Sequence, residues 1–302
     1  MGEQLCKVGD VELCYETFGD RSGQPLLLIM GLGTQMIAWR ADFCAMLVDR
    51  GFFVIRYDNR DIGRSTHLRG HRPPTVRQML TRDRRAAAYT LDDMAGDAAG
   101  LLDHLGIDAA HVVGASMGGM IAQMLAVRHP DRVLTLTSIM STTGHRLKGQ
   151  PAAKVYPFFL KARPKSKDEA VERIVKLFRV VGSPGFARDE DDLRRLAAES
   201  WDRGGGDDAG TGRQLQAVLA SGNRTRALRS IRAPTLVIHG KADKLIRPSG
   251  GRATANAVPG ARLVLIDGMG HDLPRGLWPR LVDLIAEHAA RAPRRAPAAQ
   301  AA

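Results

Sequence analysis

The sequence predicts an α/β fold, with a mostly parallel sheet covered by helices on both faces and a helical lid inserted late in the chain. Continuous apolar runs at 25–30 and 52–57 are typical of strands buried on both faces of a parallel sheet. Amphipathic helical stretches alternate with these runs, which predicts parallel neighbouring strands. Between about 141 and 230 the alternation of strands and helices stops, and it resumes afterwards, which indicates an insertion.

The first half of the chain supplies the first strands and helices. Alternating polarity at 11–17 predicts a half-exposed strand before the two apolar runs. Trp39, Phe43 and Leu47 are spaced i, i+4, i+8, which predicts a helix between those runs. Thr90 followed by Asp93 resembles a helix cap, and the apolar stripe behind it predicts a helix that ends at Gly106.

The second half predicts the domain organisation. An apolar run at 133–139 predicts another buried strand, the strand pattern resumes at 234–239 and 261–266, and a last helix is expected at about 277–288. We therefore expect a core formed by residues 1–140 and 231–290, and a helical lid formed by residues 141–230. Residues 291–302 are rich in Ala, Pro and Arg, which predicts a disordered tail.

Composition and cysteine use limit the class of protein. A chain of 302 residues with 44% hydrophobic residues can bury a sizeable core. The three cysteines, Cys6, Cys14 and Cys44, lack metal spacing and predict reduced thiols, with a Cys6–Cys14 pair as the alternative. No signal-peptide pattern or membrane-length apolar run is visible. We expect a cytoplasmic protein without stable membrane insertion.

The net charge of +12 comes largely from scattered arginines. Aromatic residues do not alternate with them, and no nucleic-acid-binding module is visible, so no nucleic-acid partner is expected. A solvated basic surface is the first interpretation. Weak attraction to anionic lipid or to an acidic substrate is the alternative.

A serine lies at the predicted turn between a strand and a helix. Gly114-Ala115-Ser116-Met117-Gly118 matches G-x-S-x-G, in which the serine occupies a strained turn and its hydroxyl points outward. The helix that follows directs its N–H groups and its positive dipole end toward this turn. Ser116 is therefore a candidate nucleophile, and a simple tight turn is the alternative.

A serine nucleophile needs a base, and the base needs an anion that fixes its tautomer. Among the nine histidines, His271 is the best candidate because it follows the last predicted strand. Asp243 follows the preceding strand and is the candidate acid, with Asp267 as the alternative. All three side chains would meet at the carboxyl edge of the sheet. The backbone N–H groups of Met117 and Leu32 are the candidate oxyanion donors.

These residues resemble the α/β-hydrolase superfamily over nearly the whole chain. The matching blocks are 30–33, 58–65 and 114–118, together with Asp243 and His271. Block 58–65, Asp-Asn-Arg-Asp-Ile-Gly-Arg-Ser, is similar to the D-x-R-D-x-G-R-S segment of bacterial carboxylesterases of the aclacinomycin methylesterase type. Many relatives carry glycine where this chain has Asp61. Met30 replaces a histidine that is common in the superfamily, which implies a less polar pocket.

The resemblance implies an eight-stranded sheet, a triad of Ser116, His271 and Asp243, and hydrolysis of carboxylic esters through an acyl-enzyme. It implies a small-molecule ester with an apolar acyl group as substrate, and neither metal nor cofactor. A perhydrolase, a carbon–carbon bond hydrolase or a slow-turnover binding protein on the same triad are the alternatives. The expected substrate-binding residues are Met30, Gly31, Phe158, Phe159 and Met269.

Overall fold

The fold is built on an eight-stranded sheet. The computed structural model describes residues 2–71, 75, 78, 85, 87–160, 164–204 and 209–292. The strand order in the sheet is β1-β2-β4-β3-β5-β6-β7-β8. The strands are β1 (Gln4–Val8), β2 (Val11–Phe18), β3 (Gln24–Ile29), β4 (Phe52–Tyr57), β5 (Ala110–Ala115), β6 (Val133–Ile139), β7 (Thr235–Gly240) and β8 (Arg262–Ile266).

The sheet is parallel except at one edge. β1 pairs with β2, and β2 with β4, in antiparallel register, whereas the strands from β4 through β3 to β8 pair in parallel. β1 was not predicted, because this edge strand buries only Cys6 and shows no apolar run. The parallel strands direct their carboxyl ends to a common edge, where ligands bind in open α/β sheets.

Helices cover both faces of the sheet. They are α1 (Ala41–Val48), α2 (Leu91–His104), α3 (Met117–Arg128), α4 (Tyr156–Leu160), α5 (Lys167–Val181), α6 (Glu190–Gly204), α7 (Ala209–Ser221), α8 (Ser249–Ala257) and α9 (Trp278–Ala289). Helices α2 and α3 pack in one hydrophobic cluster, and α1 and α9 pack in another. The helix predicted around Trp39 begins two residues later, because 36–38 form a short 3₁₀ turn.

The predicted cap of α2 is present in the structure. The backbone N–H of Thr90 donates a 2.7 Å hydrogen bond to Oδ2 of Asp93, and the Thr90 side chain completes a capping box. This arrangement satisfies N–H groups that otherwise lack acceptors at a helix start.

Four helices lie between β6 and β7 in the described part of the chain, where the sequence predicts a lid. The division into a core and a lid stays a prediction. Of the tail at 291–302, residues 293–302 lie outside the described residues, so its expected disorder stays a prediction too.

All cysteines are buried and free, so the alternative of a Cys6–Cys14 disulfide is wrong. Burial raises the pKa of Cys6 to about 11, and that of both Cys14 and Cys44 to about 12. These thiols therefore stay protonated at neutral pH. In the described part of the chain, no helix has the length and apolar character needed to cross a membrane.

Candidate active site

Ser116 lies at the turn between β5 and α3, as the G-x-S-x-G pattern predicts. Its backbone has φ 56° and ψ −118°, a conformation that non-glycine residues rarely adopt. A Cβ atom at Gly114 would lie 2.2 Å from the carbonyl oxygen of Gly118, and one at Gly118 would lie 2.0 Å from that of Ile29. Glycine is therefore required at both positions, because the strand and helix approach so closely.

The structure brings the candidate base and acid to this turn. His271 follows β8 and Asp243 follows β7, so both lie at the carboxyl edge of the sheet. Nε2 of His271 is 3.0 Å from Oγ of Ser116, and Nδ1 is 2.7 Å from Oδ2 of Asp243. The three side chains form one continuous line of hydrogen bonds.

The chemistry of the partners assigns the protons in this line. An ionised carboxylate only accepts hydrogen bonds, so Nδ1 of His271 carries the proton and donates it to Asp243. The neutral imidazole then presents an unprotonated Nε2 to the hydroxyl of Ser116. This is the tautomer that a general base requires.

Asp243 is kept ionised by its surroundings. Its Oδ1 accepts hydrogen bonds of 2.9 Å from the backbone N–H groups of Leu245 and Ile246. Burial raises the pKa of this carboxyl group, but attraction to His271 and hydrogen bonds from His239 and His271 outweigh that effect and lower the pKa to about 2. His239 is fully buried, and its Nε2 lies 2.7 Å from the carbonyl oxygen of Ile246.

The alternative acid, Asp267, does not approach the imidazole ring. Its carboxylate forms an ion pair of 2.8 Å with Nζ of Lys241, and the side chain is 85% exposed. The hydrogen bond of Nδ1 of His271 goes to Asp243 instead. The geometry therefore favours Asp243.

The loop that carries His271 is held by the end of α5. The backbone N–H of His271 donates a 2.7 Å hydrogen bond to the carbonyl oxygen of Val181. Oγ of Ser183 accepts a 2.8 Å hydrogen bond from the N–H of Gly270 and donates to Asp272. The inserted segment 141–230 thus fixes the position of the imidazole.

The loop after β3 lies directly beside the serine. A Cβ atom at Gly31 would be 3.1 Å from Cβ of Ser116, so the backbone of this loop is in contact with the turn. The N–H of Gly33 donates to Gln214 on α7, while the N–H of Leu32 has no acceptor among the described residues. Met117 is the first residue of α3, so its N–H lacks an intrahelical acceptor.

Two buried ion pairs that sequence reasoning missed join the inserted segment to block 58–65. Nη1 of Arg203 on α6 is 2.6 Å from Oδ2 of Asp58. Arg213 on α7 binds Asp61 through Nε at 2.9 Å and Nη2 at 2.6 Å. Asp58 and Asp61 follow a buried strand, and buried carboxylates need cationic partners. The two aspartates were therefore the sequence signal that could have predicted these ion pairs.

The predicted substrate-binding residues occupy different environments. Met30 is buried, and Gly31 contacts the serine turn. Met269 is completely buried in the hydrophobic cluster around α1 and α9, so it offers no exposed surface to a substrate. Phe158 on α4 is half-buried, and the side chain of Phe159 lies outside the described part. Their contact with substrate stays a prediction.

The comparisons with known proteins agree with this architecture. The profile described as alpha/beta hydrolase fold matches residues 24–274. The chain belongs to the α/β-hydrolase family. This membership confirms the predicted fold class. The described part of the chain carries the mostly parallel eight-stranded sheet with helices on both faces.

Among relatives of this α/β hydrolase, two methylesterases match over nearly their whole length. Rhodomycin D methylesterase DnrP of Streptomyces peucetius is 32% identical over 298 residues, which cover 92% of this chain and 95% of the relative. Rhodomycin D methylesterase DauP of Streptomyces sp. strain C5 is also 32% identical, with coverage of 95% and 98%. The resemblance to esterases of the aclacinomycin methylesterase type is thus confirmed.

A solved structure supports the fold independently. The enol-lactonase from Burkholderia xenovorans LB400 superposes with a TM-score of 0.75 at 24% identity, covering 95% of this chain and 100% of that one. At this identity the likeness concerns the fold alone.

Proposed function

We propose that this α/β hydrolase is a serine esterase that cleaves small carboxylic esters through an acyl-enzyme. The observation that carries the proposal is the line of hydrogen bonds from Asp243 through His271 to Ser116, at 2.7 and 3.0 Å. A hydroxyl group alone is a weak nucleophile, and a neutral imidazole in this tautomer supplies the missing base.

In the first half of the proposed reaction, Oγ of Ser116 attacks the ester carbonyl carbon while Nε2 of His271 takes the hydroxyl proton. The new C–O bond gives a tetrahedral intermediate whose negative charge lies on the former carbonyl oxygen. This intermediate collapses when the bond to the leaving alcohol breaks and His271 returns the proton to that alcohol. The acyl group remains on Ser116.

In the second half, water takes the place of the alcohol. His271 removes a proton from the water as it attacks the acyl carbon, and the bond to Ser116 then breaks. The proton passes to Oγ, and the carboxylic acid leaves. Ionised Asp243 stabilises the imidazolium that forms in each half, which fits its pKa of about 2.

The N–H groups of Leu32 and Met117 would bind the developing oxyanion. Met117 directly follows Ser116 at the N-terminus of α3, which adds its positive dipole end, and Gly31, which precedes Leu32, lies against Cβ of Ser116. Loss of one such donor typically costs about 3 to 4 kcal/mol in the transition state. Because both donors belong to the backbone, the side chains at these positions are free to shape the pocket.

The relatives support the choice of an ester as substrate. Two curated relatives at 32% identity are named methylesterases, and each match spans more than nine tenths of both chains. We propose a small-molecule ester with an apolar acyl group, because Met30 next to the serine turn is an apolar side chain.

Hydrolysis of p-nitrophenyl butyrate by the parent and by Ser116→Ala tests the proposal. We expect kcat to fall by about 10⁴-fold or more in the variant. Mass spectrometry after rapid quenching should find the butyryl group on the peptide that contains Ser116. Circular dichroism serves as the control for folding. Equal rates in the two proteins, or an acyl group on another peptide, would contradict the proposal.

A further inference from the structure

A surface strip next to the site combines exposed apolar side chains with cations. Leu147 is 80% exposed and Tyr156 is 48% exposed, and only Leu5 joins them as a large exposed hydrophobic residue in the described part. The cations are Arg146, Lys148, Lys154, Lys244 and Arg247. We call these residues, with Leu147 and Tyr156, the basic strip.

The basic strip is continuous, because two chain segments run alongside each other. The N–H of Ala152 donates a 2.8 Å hydrogen bond to the carbonyl oxygen of Lys244, and Nε of Arg247 donates to that of Gln150 at 3.0 Å. The N–H of Gly149 donates to Oγ of Ser249. These contacts place 146–156 beside 244–249.

No Asp or Glu belongs to the two segments, 146–156 and 244–249, that form the basic strip. The sequence has no Asp or Glu at 133–167 or at 244–266. None of the cations in the strip forms an ion pair with a carboxylate among the described residues, whereas most arginines of α5 and α6 do. Partial burial and the neighbouring Lys154 ammonium lower the pKa of Lys244, so two like charges lie together.

The basic strip adjoins the candidate active site. Lys244 directly follows Asp243, and Oδ1 of Asp243 accepts hydrogen bonds from Leu245 and Ile246 in the same turn. Whatever binds the strip would therefore lie at the carboxyl edge of the sheet, where the serine is.

We propose that the basic strip docks this protein on the surface of an anionic lipid bilayer. Cations near such a surface are attracted to its negative headgroups, and each adds roughly a factor of five to binding. Leu147 enters the boundary between headgroups and acyl chains. The ring of Tyr156 lies at the headgroup level with its hydroxyl in water.

The exposed apolar groups distinguish a bilayer from an acidic protein as the partner. A purely electrostatic partner needs only the cations, and an 80% exposed leucine between Arg146 and Lys148 would gain nothing from it. Interfacial segments combine both kinds of side chain, because anionic headgroups lie directly above an apolar layer.

Co-sedimentation of the full chain with vesicles tests the proposal, using phosphatidylglycerol mixed with phosphatidylcholine in equal parts. We expect the triple variant Arg146→Gln/Lys148→Gln/Lys154→Gln to bind about 100-fold more weakly. Leu147→Ser combined with Tyr156→Ser keeps the charge and should also weaken binding by about 10-fold or more, because buried apolar area is lost.

The matched control removes the same charge from the opposite edge of the sheet. Arg226, Arg229 and Arg232 are exposed and precede β7, so their triple replacement by Gln should leave binding within about three-fold of the parent. Thermal unfolding establishes that every variant folds.

The other outcomes overturn the proposal. If the two triple variants bind equally weakly, net charge is the cause and the strip has no special role. If the Leu147→Ser/Tyr156→Ser variant binds like the parent, Leu147 and Tyr156 do not contact the apolar layer and the proposed docking is wrong. Binding to soluble poly-glutamate with no binding to vesicles assigns an acidic partner instead.

Discussion

Gly33 donates its backbone N–H to Oε1 of Gln214 at 2.9 Å, which ties the loop beside the serine to helix α7. Nε2 of the same glutamine donates to the carbonyl oxygen of Arg60 at 2.8 Å. Gln214 is completely buried, so water cannot replace either bond without a rearrangement. One side chain of the inserted segment thus holds the loops after β3 and β4 together.

Gln214→Met should lower kcat for p-nitrophenyl esters by about 10- to 100-fold with little change in KM. Methionine has a similar length but accepts no strong hydrogen bond, so the loop that carries the N–H of Leu32 loses its support. Steady-state kinetics on protein of verified folded fraction measures the effect. Equal kcat in the parent and the Met variant would sink this assignment.

The ion pair between Arg213 and Asp61 should anchor α7 to the core. Asp61 is fully buried with φ 69°, and its N–H and Oδ1 are held by Thr66 and Leu68. Arg213→Met leaves this carboxylate uncompensated, which should lower the free energy of unfolding by about 3–5 kcal/mol. Urea denaturation followed by circular dichroism gives the value.

A double variant controls for the loss of packing at this ion pair. Asp61→Asn/Arg213→Met removes both charges, and asparagine tolerates a positive φ. It should recover a substantial part of the lost stability, because the cost comes from the uncompensated charge. If the double variant is no more stable than Arg213→Met, the ion pair is not the cause.

The serine, histidine and aspartate could be placed from sequence because each follows a strand of the parallel sheet. Once the predicted strand before the serine turn and the runs at 234–239 and 261–266 are taken as parallel strands, their carboxyl ends meet at one edge whatever the loops do. The choice between Asp243 and Asp267 needed coordinates, since both follow strands closely. Only the structure gives the 2.7 Å contact that separates them.

The residues of the inserted segment that hold the loops after β3 and β4 could not be predicted from the strand pattern. Arg203, Arg213 and Gln214 lie on amphipathic or polar helices, and helical periodicity says which residues share a face but not which loop that face meets. Helix α7 packs against the loop after β4 more closely than the hydrophobic pattern of its sequence can indicate. A Cβ atom at Gly210 would lie 1.9 Å from the carbonyl oxygen of Asp61.

Asp243→Asn should reduce kcat by about 10³- to 10⁴-fold while the protein stays folded. An amide can donate to Nδ1 of His271, which would favour the wrong tautomer and leave Nε2 unable to take the serine proton. Asp267→Asn is the matched control and should keep kcat within about two-fold. The carboxylate of Asp267 is exposed to solvent and forms an ion pair with Lys241 rather than contacting His271. Similar losses in both variants would reopen the choice of acid.

Gly118→Ala should destabilise the fold by more than about 3 kcal/mol, because the new methyl group would overlap backbone atoms. Its Cβ would lie 2.0 Å from the carbonyl oxygen of Ile29, which cannot move without shifting β3. Gly96→Ala on α2 is the control. Nothing lies within 4 Å of a Cβ there, so alanine should stabilise by about 0.5–1 kcal/mol. Thermal unfolding compares them, and a Gly118→Ala protein that melts with the parent would contradict this prediction.

The contribution of His111 to the free energy of unfolding should fall as the pH is lowered from about 6.5 to about 4. His111 on β5 is buried, with Nδ1 2.9 Å from Oγ1 of Thr135, and burial lowers its pKa to about 4. Below its ordinary pKa the unfolded chain binds a proton at this position, whereas the folded chain stays neutral until about pH 4. Unfolding is thereby favoured, by up to about 3 kcal/mol at the lower end.

His111→Gln isolates the contribution of this histidine, because other titrating groups are common to both proteins. Burial also lowers the pKa of His288, so protonation of His288 in the unfolded chain favours unfolding in the same way as that of His111. The stabilising contribution of ionised Asp243 is lost only below its ordinary pKa of 3.8. Urea unfolding at about pH 7 and about pH 5 should therefore show a smaller loss of stability in the variant than in the parent. Equal losses would mean that residue 111 becomes protonated in the folded protein as readily as in the unfolded chain.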